Sequence, residues 1–346
     1  MVDRDSFEVF GLSSLIANCE RGRIAAVLSF MFIFYFCSRQ TNLSNQVYQY
    51  LYNNMDTVYY FDARRPRFLC TVYQGGLGNL LFQYSFSYML SKTMNLTLLV
   101  PEDKMALLQE VFQIPNVTVN KRGMQVCTKT RKYVDKIDVG FDSSVFRVPN
   151  NTDIYFEGYF QSWVYWADYK VEIRKQLKFH PEIISKAKRV LSNAVKFHNK
   201  SRQKISLVGI HVRRGDMIAS EYFRKHGYQV ADKKYLANAM KYMTDHIKKE
   251  ILFVVCSNDM KWTKTAIKVP NVIFVNSTRR EVDMAVLTLC DHFIMTVGTF
   301  GWWAGFLSKG TVIYYNQPFR PNSELAKNFA NDYNESFFYP GWIGMS

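Results

Sequence analysis

Short continuous apolar runs alternate with stretches of helical period along most of this chain. Phe68–Tyr73 reads as a buried strand; the Gly75–Asn79 turn follows, and apolar and aromatic residues at helical spacing continue to Lys92. Leu96–Val100 is the next strand, stopped by Pro101. Strand, helix and strand in that order form a βαβ unit, which implies a parallel sheet. Residues 101–160 support only a mixed assignment, because their apolar segments are short and Pro115 and Pro149 interrupt them. Val171–Leu177 and Glu182–His198 have helical spacing. The α/β rhythm then returns, with strands predicted at Ser206–His211, Ile251–Cys256, Val272–Val275, His292–Thr296 and Thr311–Tyr315. Helices are predicted between them at Tyr235–Lys249, Met260–Ile267, Val282–Leu289 and Phe300–Leu307. Ligands of such sheets bind beyond the carboxyl ends of the strands, so the residues just after each strand are the ones to inspect.

A different apolar segment precedes this pattern. Ile24–Cys37 carries no charge, follows Arg21 and Arg23, and precedes Arg39. Its fourteen residues span roughly 21 Å as a helix. A thin early-secretory bilayer needs about 27 Å, a gap that snorkelling arginines can close. The length also suits a cleavable signal or a buried core helix, but no small-x-small site follows and four acids precede it. The reading adopted is a single transmembrane signal-anchor. Residues 1–23 then form a cytosolic tail, 24–37 the span and 38–66 a stem, with the remainder luminal.

Composition and charge sharpen this picture. The net charge of +15 comes from scattered Lys and Arg with no basic run, so a nucleic-acid partner is not expected. An anionic small substrate fits the same charge. N-x-S/T sequons at Asn42, Asn95, Asn116, Asn150, Asn199, Asn276 and Asn334 favour a secretory lumen. Four cysteines lie on the luminal side: Cys70, Cys127, Cys256 and Cys290. They permit three pairings, or they remain buried thiols; without C-x-x-C spacing they do not suit a zinc or redox site.

Three constellations carry candidate chemistry. In Val208–Asp216 an apolar strand runs into Arg213 and Arg214, then Gly215 and Asp216. If the chain stays extended, His211 and Arg213 share one face and Arg214 takes the other. An arginine fork matches phosphate oxygens, and Asp216 is placed to hold an arginine; solvated arginines at a strand end are the plain alternative. In Met295–Gly305 a strand ends at a Gly-Thr turn where a helix starts, presenting free N–H groups that bind phosphate. Thr296, Gly298, Thr299 and Phe300 belong to this turn, while Trp302 and Trp303 read equally well as core. The third is the loop with Gly76, Gly78 and Asn79, either a tight βα turn or a ligand contact. No P-loop or G-x-G-x-x-G dinucleotide fingerprint is present. The sole D-x-D triplet is Asp3–Asp5 in the tail, so no metal is expected and arginines would neutralise a diphosphate.

Together these motifs resemble the α1,2-fucosyltransferases of glycosyltransferase family 11. The family's H-x-R-R-x-D motif matches His211–Asp216, its G-x-x-G-N segment and aromatic helix match Gly75–Tyr88, and its T-x-G-T-F-x-x-W-A segment matches Thr296–Ala304. Glu157–Ser162, Phe253–Trp262 and Pro340–Gly344 are similar too, so the resemblance runs from about residue 70 to the C-terminus. It implies a GT-B type α/β fold, with two Rossmann-like domains facing a cleft behind the single N-terminal transmembrane helix. Residues 67–200 would form the acceptor-side domain and 201–346 the domain that binds GDP-fucose. The implied reaction is inverting transfer of L-fucose from GDP-fucose to the 2-hydroxyl of a terminal galactose. The acceptors would be glycans on glycoproteins or glycolipids, and the enzyme a type II protein of the Golgi membrane. His211, Arg213, Arg214, Asp216, Thr296, Gly298, Thr299 and Phe300 are the implied donor-binding residues, with Arg213 also catalytic. In α1,6 relatives a Glu ten residues after the motif His is a proposed base; Glu221 stands at that spacing and reads otherwise as a surface-loop residue. A catalytically silent glycan-binding protein on the same scaffold is the rival reading, and the intact His-Arg-Arg-Gly-Asp run speaks against it.

Overall fold

The computed structural model describes residues 66–115, 118–119, 127–128, 130–149, 151–198, 201–275 and 279–346. The expected anchor and stem, and the sequons at Asn42, Asn116, Asn150, Asn199 and Asn276, lie outside them. Among the described residues no helix is long and apolar enough to cross a membrane.

Two parallel sheets organise the chain. The first has the order β3-β2-β1-β5-β4, from β1 (Phe68–Thr71), β2 (Thr97–Pro101), β3 (Thr118–Val119), β4 (Lys132–Val134) and β5 (Ile154–Glu157). The second has the order β11-β10-β9-β6-β7-β8, from β6 (Ile205–Val212), β7 (Glu250–Ser257), β8 (Val272–Phe274), β9 (His292–Met295), β10 (Val312–Tyr315) and β11 (Ile343–Met345). Helices α1 (Leu77–Thr93), α2 (Glu102–Gln109), α3 (Lys170–Gln176) and α4 (Pro181–Phe197) belong to the first half. In the second half α5 (Gly215–Ala219), α6 (Glu221–His226) and α7 (Lys233–His246) follow β6; α8 (Met260–Ala266), α9 (Arg280–Thr288) and α10 (Thr299–Leu307) follow β7, β8 and β9. Parallel strands covered on both faces need unbroken apolar runs, and β6 is buried at all eight positions. The middle segment left mixed by its pattern supplies three short strands, β3 to β5.

The two halves share a core. Helix α1 is buried nearly all round, so its polar residues must find partners inside. Gln83 accepts from the Gln74 N–H and donates to the Gly158 carbonyl, each at 3.0 Å, and the Ser87 and Thr71 hydroxyls pair at 2.7 Å. Phe82 of α1 packs 4.7 Å from the Trp302 ring and 5.0 Å from the Trp303 ring of α10. Both tryptophans are fully buried, and the Trp302 indole donates to the Phe337 carbonyl at 2.8 Å. Truncating such a ring typically costs about 3–5 kcal/mol. This aromatic cluster fixes α10 against α1, and thereby sets the loop before each helix against the other.

Cys70 and Cys127 form a disulfide, whereas Cys256 and Cys290 are buried free thiols. Burial pushes both thiols well above their usual range. Asn95, at positive φ, and Asn334 are exposed.

Candidate functional site

The carboxyl ends of both sheets open on one cleft of about 350 Å³. Gly76 lines it from the end of the loop after β1, and Gly78 and Asn79, expected in that loop, from the first turn of α1; His211 and Arg213 line it from the end of β6; Thr299 and Phe300 from the start of α10. The walls meet directly, because the Thr299 hydroxyl donates to Asn79 Oδ1 at 2.7 Å. Gly78 permits this approach: a Cβ there would lie 2.5 Å from the Thr299 carbonyl carbon.

Arg213 and Arg214 separate, though not by the expected alternation. The strand ends at Val212, and Arg214 sits at φ −150° and ψ −49°, outside extended geometry. The flanking strands divide the pair instead. Toward β9, the Arg213 N–H donates to Thr296 Oγ1 at 2.9 Å, and the side chain lies beside Gly298. A Cβ on Gly298, whose φ is +95°, would sit 2.6 Å from Arg213 Nη1. Toward β7, Arg214 stacks on Trp262 at 4.2 Å and stands 3.9 Å from an Asp259 oxygen. Asp216 therefore holds Arg213, at 2.8 Å from Nη2, and not Arg214. Burial alone would raise the Asp216 carboxyl; hydrogen bonds and charge from Arg213, with Asn258, bring it below the usual range. Arg213 is thus a clamped, oriented cation at the cleft wall.

His211 is buried, its ring centroid 5.0 Å from that of Phe300, and Nδ1 has no hydrogen-bond partner among the described residues. Burial, and then the Arg213 charge, lower its pKa to about 3. It is therefore neutral at physiological pH and adds no second positive charge beside Arg213. Because unfolded His titrates near 6.5, this burial favours the fold fully above that pH. The contribution is lost progressively as pH falls from there toward about 3.

Glu221 lies apart from these groups. It opens α6, is 64% exposed at its side chain, pairs with Lys225 at 2.9 Å, and is absent from the cleft lining. Glu221→Gln should accordingly leave kcat within about twofold of wild type, whereas loss of a general base typically costs 10²–10⁴-fold. Steady-state kinetics decides between them.

Ser257, Asn258, Arg280 and Asp283 also line the cleft; the first two lie in the Phe253–Trp262 segment but were not named as site residues, and the last two fall in no quoted motif. Asn258 knits the arginine turn: Oδ1 accepts from the N–H groups of Arg214 at 2.8 Å and Gly215 at 3.2 Å, while Nδ2 donates to Asp216 at 2.7 Å. Its position just after β7 was the available signal. Arg280 pairs with Glu110 at 3.7 Å across the two halves. Among the described residues no group of three His, Cys, Asp or Glu is arranged to hold a metal ion.

Two parallel sheets whose carboxyl ends open on one cleft define an α/β fold also found in solved structures. An Arabidopsis thaliana FUT1 mutant in complex with GDP has this fold, at a TM-score of 0.52 and 11% identity, over 92% of this chain and 84% of that one. Residues 36–346 match the family model for glycosyl transferase family 11, and the chain belongs to that family. Among its relatives, galactoside alpha-(1,2)-fucosyltransferase 1 of Bos taurus is 35% identical over 190 residues, covering 54% of this chain and 51% of the relative. The protein of that name from Homo sapiens is 34% identical over 190 residues, covering 54% and 50%. The chain thus spans about half the length of the relatives it matches.

Proposed function

We propose that this chain is a GT-B type galactoside α1,2-fucosyltransferase. It transfers L-fucose from GDP-fucose to the 2-hydroxyl of a terminal galactose on a glycoprotein or glycolipid glycan, with inversion. Anchored through residues 24–37 in the Golgi membrane, it acts in the lumen. The observation that carries the reading is the Asp216-clamped Arg213 fork facing the start of α10 across Gly298. Family membership and the relatives' names point to the sugar and the linkage.

The geometry suits departure of a diphosphate. When the bond from fucose C1 to the β-phosphate oxygen breaks, its electron pair leaves with GDP. Arg213 and the free N–H groups at the α10 N-terminus stabilise that charge, and preorganised donors need no rearrangement as it develops. The remaining residues named for the donor support this clamp: Thr296 and Gly298 seat Arg213, Asp216 orients it, and neutral His211 packs on Phe300.

A donor-by-acceptor assay tests the reading, with GDP-fucose and other sugar nucleotides set against lactose and galactose-free sugars. Fucose should move only from GDP-fucose and only to galactose-terminated acceptors. Turnover should be unchanged in EDTA, since arginine charge serves where other transferases use a metal. Loss of turnover in EDTA with recovery in Mn²⁺ would refute the arginine-based account of diphosphate departure.

A further inference from the structure

Arg213 is held by one carboxylate, and that carboxylate needs holding in turn. The Asp216 side chain is 43% exposed and lies on α5, a helix of five residues in which only Met217 is buried. An exposed ion pair between residues three apart orders its side chains weakly, because the entropy lost offsets most of the Coulomb gain. Left to itself, the Arg213–Asp216 pair would leave the fork free to sample several directions. A third group, on the neighbouring strand's side, removes that freedom.

β6 and β7 pair in register, His211 with Cys256 and Val212 with Ser257, so Asn258, the first residue after β7, stands beside Arg213 in the cleft wall. The Asn258 N–H donates to the Val212 carbonyl at 3.3 Å. The Ser257 hydroxyl accepts from the Asp259 N–H at 2.9 Å and pairs with the Thr263 hydroxyl at 2.8 Å, which fixes this loop. Gly215 lets the arginine turn press against it: a Cβ there would lie 2.9 Å from the Asn258 carbonyl oxygen. Asn258 Oδ1 accepts two backbone N–H groups, from Arg214 and Gly215, and an amide oxygen can only accept. The amide therefore has one orientation, with Nδ2 donating to Asp216 Oδ1 at 2.7 Å. The Asp216 oxygens are divided in consequence. Oδ1 goes to Asn258, with a longer contact of 3.4 Å from Arg213 Nε, while Oδ2 takes Arg213 through Nη2 at 2.8 Å and Nε at 3.2 Å.

An amide suits this place for its charge as well as its shape, since it donates to Asp216 without adding a charge beside Arg213. The other charged groups at the turn, Arg214 and Asp259, face each other at 3.9 Å, and His211 is neutral. Burial alone would raise the Asp216 carboxyl, but Arg213 and then Asn258 hold it below its ordinary range. We propose that Asn258 is a positioning residue for fucosyl transfer: its amide fixes the Asp216 carboxylate and thereby aims the Arg213 fork at the departing diphosphate. The inference rests on the functional reading above. Asn258 acts on the rate only through Asp216 and Arg213.

The test uses the full chain with GDP-fucose and lactose. Asn258→Asp separates the two halves of the amide: it keeps the Oδ1 acceptor that holds the turn and replaces the Nδ2 donor by a second carboxylate oxygen. At about pH 8 the two carboxylates repel, and kcat should fall about 10²-fold, the effect of a displacement near 1 Å. Carboxylates this close share one proton well above the usual range, which restores both the hydrogen bond and the single charge. The ratio of variant to wild-type kcat should therefore rise about tenfold between about pH 8 and about pH 5.5. Taking the ratio removes what both proteins share, the His211 contribution included. The Kd for GDP should follow, raised severalfold over wild type at the higher pH and closer to it at the lower. Asn258→Ser, too short to reach Asp216, should lose as much turnover and recover none on acidification. An Asn258→Asp variant within threefold of wild type at the higher pH, or with the same deficit at both, would overturn the proposal. Unchanged kcat in Asn258→Ser would do so even if Asn258→Asp proved unstable. A wild-type chain that binds GDP but moves no fucose to lactose would overturn the functional reading alone; the GDP Kd ratio then decides the aiming of Arg213, a pH-dependent ratio supporting it and a flat one overturning it.

Discussion

Arg213→Ala should lower kcat for fucosyl transfer by about 10²–10³-fold, equivalent to roughly 3–4 kcal/mol of lost transition-state stabilisation. On the proposed reaction the loss should fall on kcat: Asp216 would hold Arg213 where charge develops on the departing diphosphate, so its grip would strengthen as the bond breaks. Arg213→Lys should recover little. A lysine is a point charge without the fork that engages Asp216 through Nε and Nη2 together. Arg214→Ala should retain measurable turnover, because Arg214 stacks on Trp262 toward β7 and is not part of the cleft lining. Its cost should appear as a lower melting temperature. Kinetics and thermal melts on the three variants check this; equal kinetic losses at Arg213 and Arg214 would reduce the arginine turn to an undifferentiated basic patch.

Gly78→Ala should be the most damaging small substitution in the cleft. Its Cβ would lie 2.5 Å from the Thr299 carbonyl carbon and 2.6 Å from the Phe300 nitrogen, both backbone atoms without side-chain freedom. Relief requires the first turn of α1 or the α10 N-terminus to retreat, breaking the Asn79–Thr299 hydrogen bond. Overpacking of this kind costs about 1–3 kcal/mol, and a displacement near 1 Å at a site can cost about 10²-fold in rate. Gly76→Ala is the internal control: nothing lies within 4 Å of a Cβ there, so activity and melting temperature should stay near wild type. A Gly78→Ala variant matching that control would show that close approach of the two walls is unnecessary for turnover.

Much of the second sheet was legible because buried parallel strands are written as unbroken apolar runs. Predicted Ser206–His211 and Ile251–Cys256 lie within β6 and β7, each extending one residue beyond at either end. The same rule could not find β4, an edge strand of three residues, none of them buried, or β5, whose four residues alternate too briefly to register. The arginine turn was visible as a motif, but period-two alternation gave the wrong divider. Sidedness at a strand end is set by which neighbouring strands flank it, here β9 and β7, and their order is a tertiary fact. Asn258 lay within the Phe253–Trp262 segment without an assigned role, since that role lies in two backbone N–H groups and a carboxylate brought to it by the β6–β7 pairing. The cysteine pairing was open for a similar reason: three arrangements satisfy the sequence, and only the fold brings Cys70 to Cys127.

The proposed reaction is single-displacement transfer to the galactose 2-hydroxyl, driven by charge stabilisation on departing GDP. Nuclear magnetic resonance of the product formed from GDP-fucose and lactose tests it most directly, because one spectrum reports both the anomeric configuration and the position of the new bond. The predicted product carries fucose in α linkage at O2 of galactose, inverted from the β configuration of the donor. A β-linked fucose, or a bond at another galactose hydroxyl, would contradict the account.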